Sequence, residues 1–273
     1  MPEMKVHANG IDFNVLVEGR EDGLPVLLLH GFPDSLKLWR HLVPYLVRAG
    51  YRVIAMDQRG FGLTDAPAAT DAYLVGEIVN DAAAVVSELG VREKIRLVGH
   101  DWGALIGWQF CFQHPSWVDR YVAVSVGHPL AFRRAGFEQK CKSWYVLAFQ
   151  FRGIAEYCLK FNNWVLFRAL CKNHPELVNW ISDLSRPGRL TAALNWYRAN
   201  FMGFMAAKNI PNCKVRTLGV YSPGDIALTE KQMLDSVNFM DAEWRYRRVE
   251  RCGHWIPLEQ PQELAEHILD WFK

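Results

Sequence analysis

Four near-continuous apolar runs set the terms for this chain. "PVLLLHG" (25–31), "YRVIAMD" (51–57), "KIRLVGH" (94–100) and "DRYVAVSV" (119–126) show little of the in-out alternation of a half-exposed strand. Strands buried on both faces read this way, and they belong to a parallel sheet covered by helices. The segments between the runs agree with that reading. "SLKLWRHLVPYLVRAG" and "YLVGEIVNDAAAVVSELG" carry apolar residues at helical spacing, and each ends in a glycine suited to a helix C-terminus. An opening hairpin, "VHANGIDFNVLVEG", has an Asn-Gly turn and adds antiparallel strands at one edge. The fold class is α/β: a mostly parallel sheet flanked by helices.

The alternation stops near Gly127. Residues 129–211 offer no convincing strand and are dense in aromatics, from Trp144, Phe149 and Phe151 through Trp164 and Trp196 to Phe204. It resumes with "VRTLGVYS" (215–222), "WRYRRVE" (244–250) and a closing helix, "PQELAEHILDWFK". The expected organisation is therefore a core of residues 1–128 and 212–273, interrupted by a helical cap at 129–211.

Composition narrows the partners. With 31 Lys and Arg against 29 Asp and Glu, the chain has no strong basic balance to recommend nucleic acid. The first residues, "MPEMKVHANG", lack the apolar stretch of a secretory signal, and no apolar run approaches the ~20 residues of a membrane helix. The six cysteines are scattered, without metal-ligand spacing, and read as reduced thiols. A cytoplasmic enzyme without metal or cofactor, monomeric or homodimeric, is the expectation.

The stretch "VGHDWGALIGW" (98–108) then raises a chemical question, because it sets Asp101 between glycines at the exit of a buried strand. A small-x-nucleophile-x-small turn between strand and helix is a nucleophile elbow, and its middle residue is exposed by a strained backbone. Three further features follow in order. "HGFPDS" (30–35) stands after an earlier strand, where the backbone N–H groups of Phe32 and Trp102 would converge on an oxyanion. "YSPGDIALTE" puts Asp225 just after a later strand, and "RCGHWIPLEQP" puts His254 after the last one. The order nucleophile, acid, histidine is that of an α/β-hydrolase triad. No carboxylate occurs in "VSVGHPLAF", so Asp225 is preferred as the acid. His100 is expected to point away from the pocket, and His30 to support the oxyanion loop. In "DQRGFGLTD", Asp57, Arg59 and Asp65 are expected to brace their own loop as a salt-bridged group.

Over essentially its whole length the chain resembles the epoxide hydrolase and haloalkane dehalogenase branch of the α/β-hydrolases. The resemblance is carried by "HGFPDSLKLW", "DQRGFGLTDAP", "VGHDWGALIGW", "HPLAFRRA", "LNWYR" and "GHWIPLEQP". It implies an aspartate nucleophile that forms an alkyl ester, which histidine-activated water then hydrolyses. It also implies a cap tyrosine as proton donor to an opening epoxide, here Tyr197 of "LNWYR". The second cap segment, "SWYVLAFQ", has Ala148 where some members carry tyrosine. Tyr145, three residues earlier, is the substitute candidate or a packed aromatic. Trp102 suits either branch, whereas Phe32 lacks the side-chain donor that dehalogenases use to hold halide. The expected substrate is a small apolar epoxide. A dehalogenase using the same Asp-His-Asp set, and a slow ligand-binding homologue, are the alternatives.

Overall fold

The computed structural model describes residues 3–206 and 209–273; residues 1, 2, 207 and 208, and the side chains of Phe204, Met205 and Ala206, lie outside the described residues. One eight-stranded sheet runs through the molecule in the order β1-β2-β4-β3-β5-β6-β7-β8. Its strands are β1 Glu3–Ala8, β2 Ile11–Glu18, β3 Pro25–Leu29, β4 Arg52–Met56, β5 Ile95–His100, β6 Val118–Val124, β7 Arg216–Tyr221 and β8 Trp244–Arg248. β2 is antiparallel to both β1 and β4, and every pairing from β4 to β8 is parallel. The four apolar runs are β3, β4, β5 and β6. β3 is buried at every position, as strands covered on both faces must be.

The helices are α1 Val43–Arg48, α2 Val75–Glu88, α3 Trp102–Gln113, α4 Pro129–Arg134, α5 Phe137–Lys142, α6 Trp144–Ala148, α7 Ile154–Leu170, α8 Leu177–Ser185, α9 Arg189–Ala206, α10 Glu230–Leu234, α11 Ile256–Glu259 and α12 Pro261–Phe272. The first expected helix is shorter than its apolar spacing suggests. A 3₁₀ turn covers Leu36–Trp39, and α1 starts afresh at Val43. Pro44 has no N–H to donate back, so it sits in the first turn of a new helix rather than inside a long one. Between β6 and β7 the described residues form helices α4–α9 and no strand. Among the described residues no helix is long and apolar enough to cross a membrane.

β8 ends the sheet, and three of its five residues are arginines. Charges along the open edge of a terminal strand discourage pairing with another chain. At the opposite side of each parallel strand, the C-terminal ends open toward the helical segment. That is where open α/β sheets place their ligands.

Candidate active site

Asp101 follows β5 directly and begins α3. Its backbone, φ 54° and ψ −121°, lies in a region that non-glycine residues rarely occupy. The strain is therefore carried by Asp101 itself, not by its glycines. Gly103 serves close approach instead, since a Cβ there would strike the Leu29 carbonyl of β3. Gly31 leaves room in the same way for the Asp101 carboxylate. Two strand ends can thus come together with a carboxylate between them.

The carboxylate is held at both oxygens. Oδ1 accepts a hydrogen bond from the Phe32 backbone N–H at 2.9 Å. Oδ2 lies 3.6 Å from His254 Nε2. Burial opposes ionisation, yet the neighbouring His254 and the Trp102 backbone amide hold the Asp101 carboxyl below its ordinary value. Phe32 and Trp102 therefore both direct amides at this group, one from the β3 loop and one from the open N-terminus of α3.

His254 stands in the loop after β8, and its Nδ1 donates to Asp225 Oδ2 at 2.8 Å. Asp225, in the loop after β7, is fixed in turn: its Oδ1 accepts from the Ala227 and Leu228 amides at 2.8 and 2.9 Å. Burial works against both charges. The His254 charge and hydrogen bond keep the Asp225 carboxyl low, and the two flanking carboxylates raise the His254 pKa to about 10. Asp101, His254 and Asp225 thus form one chain of contacts across three loops.

The neighbouring histidines hold backbone rather than face the carboxylate. His100 Nε2 donates to the His254 carbonyl at 2.8 Å, and burial lowers its pKa to about 4. His30 Nε2 accepts from the Gln58 amide at 2.9 Å, with Nδ1 on the Gly31 carbonyl at 2.9 Å. Those two contacts orient the loop that presents Phe32. The expected salt-bridged brace of Asp57, Arg59 and Asp65 is not what forms. Arg59 makes a buried pair with Asp81 of α2, whereas Asp57 accepts from the Leu36 and Leu63 amides and the Asn14 side chain. A carboxylate surrounded by amide donors needs no cation, so the arginine takes the acid across the interface.

A family model of the α/β hydrolase fold matches residues 25–261. Among curated relatives, the chain is 40% identical to epoxide hydrolase 2 of Siraitia grosvenorii over 98% of this chain and 97% of that one. It is 32% identical to the AB hydrolase superfamily protein YfhM of Bacillus subtilis, over 98% and 96%. This chain is an α/β-hydrolase of the epoxide hydrolase branch. Among solved structures it is similar to the epoxide hydrolase VrEH1 from Vigna radiata, with a TM-score of 0.84 at 27% identity over 99% and 97% of the two chains.

In this α/β-hydrolase a cavity of about 320 Å³ opens above Asp101 and His254, and its lining includes Tyr145, Leu166, Tyr197 and Trp255. Tyr197, on α9, meets the Trp102 ring edge-on at 5.1 Å between centroids and lies 6.0 Å from the Tyr145 ring on α6. Burial raises the Tyr197 pKa well above its ordinary value, as do the Tyr145 and Asp101 charges, against a hydrogen bond from Trp102. Burial and the same carboxylate raise Tyr145 likewise. Both phenols therefore stay protonated and able to donate. Among the described residues no cluster of His, Cys, Asp and Glu is arranged to hold a metal ion.

Two residues of the site carry no signal in the sequence. Lys142 of α5 donates from Nζ to the Asp225 and Leu228 carbonyls at 2.7 and 2.8 Å. Gln139, one turn earlier, donates to the Ala227 carbonyl and accepts from the Thr229 amide. Together they tie the helical segment to the loop that carries Asp225. Their partners lie more than eighty residues away along the chain, beyond any local motif.

Proposed function

We propose that this α/β-hydrolase opens apolar epoxides to vicinal diols through an ester on Asp101. The observation that carries the reading is that two protonated phenols, Tyr197 and Tyr145, line the same cavity as the Asp101 carboxylate and His254. An epoxide oxygen leaves as an alkoxide and needs a proton, whereas a halide does not. The names of the relatives agree, and the Phe32 side chain offers no donor to a halide.

With Oδ1 held by the Phe32 amide, Oδ2 is the attacking atom. It displaces the C–O bond of the ring while a tyrosine donates its proton to the departing oxygen. Ester formation removes the Asp101 charge, one of the two that raise the His254 pKa. The imidazolium then releases its proton to solvent, to be taken back when the Asp101 charge returns, and Nε2 is free to act as a base. Water, deprotonated by Nε2, adds to the ester carbon, and the Phe32 and Trp102 amides hold the oxyanion. Collapse expels the glycol with the proton from His254. The carboxylic acid left at Asp101 returns its own proton to the phenolate.

On this reading residues 1–128 and 212–273 are the catalytic core, and 129–211 are a cap that supplies the proton donors and the apolar wall. A single turnover with enzyme in excess in ¹⁸O-water tests it. The label should appear in the peptide holding Asp101, and the diol should carry only unlabelled oxygen. A diol whose new oxygen comes from solvent would mean direct attack by water. Preference for a matched bromoalkane over the epoxide would mean a dehalogenase.

A further inference from the structure

The helix α7 is broken at Phe161–Trp164, where the backbone leaves helical φ/ψ, and its first half is apolar on two sides. Ala155 and Leu159 face inward and are buried, whereas Ile154, Tyr157 and Phe161 are 62%, 67% and 56% exposed. The outward stripe continues through Phe151 to Leu147 and Trp144 of α6, also exposed. Exposed apolar patches of this kind mark interaction sites. This one reaches the catalytic cavity, because Trp144 and Leu166 are both exposed and part of its lining.

Charge identifies the occupant. Twelve of the 31 Lys and Arg fall within residues 129–211, against four of the 29 Asp and Glu, so the cap carries a formal charge of +8 and the remainder −6. Among the described residues no carboxylate pairs with Lys140, Arg152, Lys160 or Lys172. Of the cap's acids, Glu156, Glu176 and Asp183 are matched by Arg198, Arg40 and Arg186. Glu138 remains exposed beside them. A second copy meeting this face through two-fold symmetry would set +8 against +8. An anionic surface is complementary, and aromatic side chains flanked by lysines suit a lipid headgroup layer.

We propose that the outward face of α6 and the first half of α7 seats the cap on an anionic lipid surface, with the mouth of the cavity at that surface. An apolar substrate would then enter from the lipid rather than through water; this last step rests on the epoxide hydrolase reading, and the docking does not.

The test uses the full chain with phosphatidylcholine vesicles, with and without phosphatidylserine. Cosedimentation should require the anionic lipid and fall with added salt. Lys140→Gln and Lys160→Gln should each weaken binding about fivefold, and Phe151→Ser with Phe161→Ser by about tenfold or more. An environment-sensitive dye on Cys158, an exposed cysteine of α7, in a Cys141→Ser background should shift to the blue on binding. None of the four substituted side chains lines the cavity. Turnover of a water-soluble epoxide, measured alongside, therefore tests the catalytic reading separately. Absence of binding, or binding indifferent to lipid charge and to these substitutions, overturns the proposal. So does micromolar self-association abolished by the phenylalanine pair, which would make the face a contact between copies.

Discussion

On the sheet side of the cavity the reactive atoms are tied down one by one. Asp101 Oδ1 has the Phe32 amide, Asp225 Oδ1 has two loop amides, and His254 Nδ1 has Asp225. On the helical side Tyr197 is held by ring edges, with Phe149, Trp102 and Phe32 at 5.0, 5.1 and 5.6 Å between centroids. Hydrogen bonds fix a direction and ring packing fixes a place, and the Tyr197 oxygen, accepting from Trp102, keeps its own proton to donate. The contrast suits a division of labour. On the proposed reaction, one wall would make and hydrolyse the ester and must hold its atoms in line. The other would supply a proton to substrates of differing shape.

If that division is right, removing either central group of the sheet side gives the largest effects, whatever the leaving group. Asp101→Asn should lower turnover by about 10⁴-fold or more, on epoxide and bromoalkane alike. His254→Gln should lower it by about 10²–10⁴-fold, but in a different manner. Alkylation survives, so intact-mass measurement should find the ester accumulating on Asp101. Asp225→Asn should slow the same second step. Normal steady-state turnover by His254→Gln would remove the imidazole from the reaction and dissolve the comparison.

The same contrast decides what could be read from the sequence. Asp101, Asp225 and His254 each follow a strand, in loops whose glycines and order are local properties, so the sequence alone marks them. Four of the six parallel strands, β3 to β6, are legible for a similar reason, since burial on both faces leaves a nearly unbroken apolar run. The cap was legible only as an absence of strands and an excess of aromatics. Tyr197 came from a resemblance, and Tyr145 kept two readings because helical spacing cannot say which ring meets which. Lys142 and Gln139 were invisible, as was the Arg59–Asp81 pair, because each depends on how distant segments pack. The broken start of α1 was a local matter that apolar spacing concealed and Pro44 explains.

The helical side is tested by the leaving group. Tyr197→Phe, Tyr145→Phe and the double variant keep the rings and remove only the hydroxyls, so the packing that holds them should survive. Positioned acid catalysis contributes about 10²–10⁴-fold, roughly 3–5 kcal/mol of barrier. The double variant should lose most of that on an epoxide, and Tyr197→Phe less wherever Tyr145 can take over. Alkylation by a matched bromoalkane should fall much less, because bromide leaves without a proton. Equal losses on both substrates would mean that the phenols position substrate and do not protonate it. An unchanged epoxide rate in the double variant would take both tyrosines out of the chemistry.

The smallest effect concerns stability, and it isolates the electrostatic coupling of the sheet side from its chemistry. His254 has its pKa raised to about 10 by Asp225 and Asp101, against the opposing pull of burial. A histidine whose folded-state pKa is raised contributes stability that is fully present below its unfolded value of about 6.5. That contribution is lost as pH rises through the folded value, because the folded state then holds a proton that the unfolded state has already released. Between pH 7 and 9 the parent should therefore lose about 1 kcal/mol of unfolding free energy per pH unit from this group. Asp101→Asn removes one of the two carboxylates, so the folded pKa falls and the slope should flatten toward the upper end of that window. Urea unfolding at several pH values, parent beside variant, reads the difference while cancelling lysines and other tyrosines common to both. Parallel curves would mean that Asp225 alone sets the charge on the imidazole. In that case alkylation of Asp101 could not be what readies His254 to act as a base, and the two steps would have to be coupled in some other way.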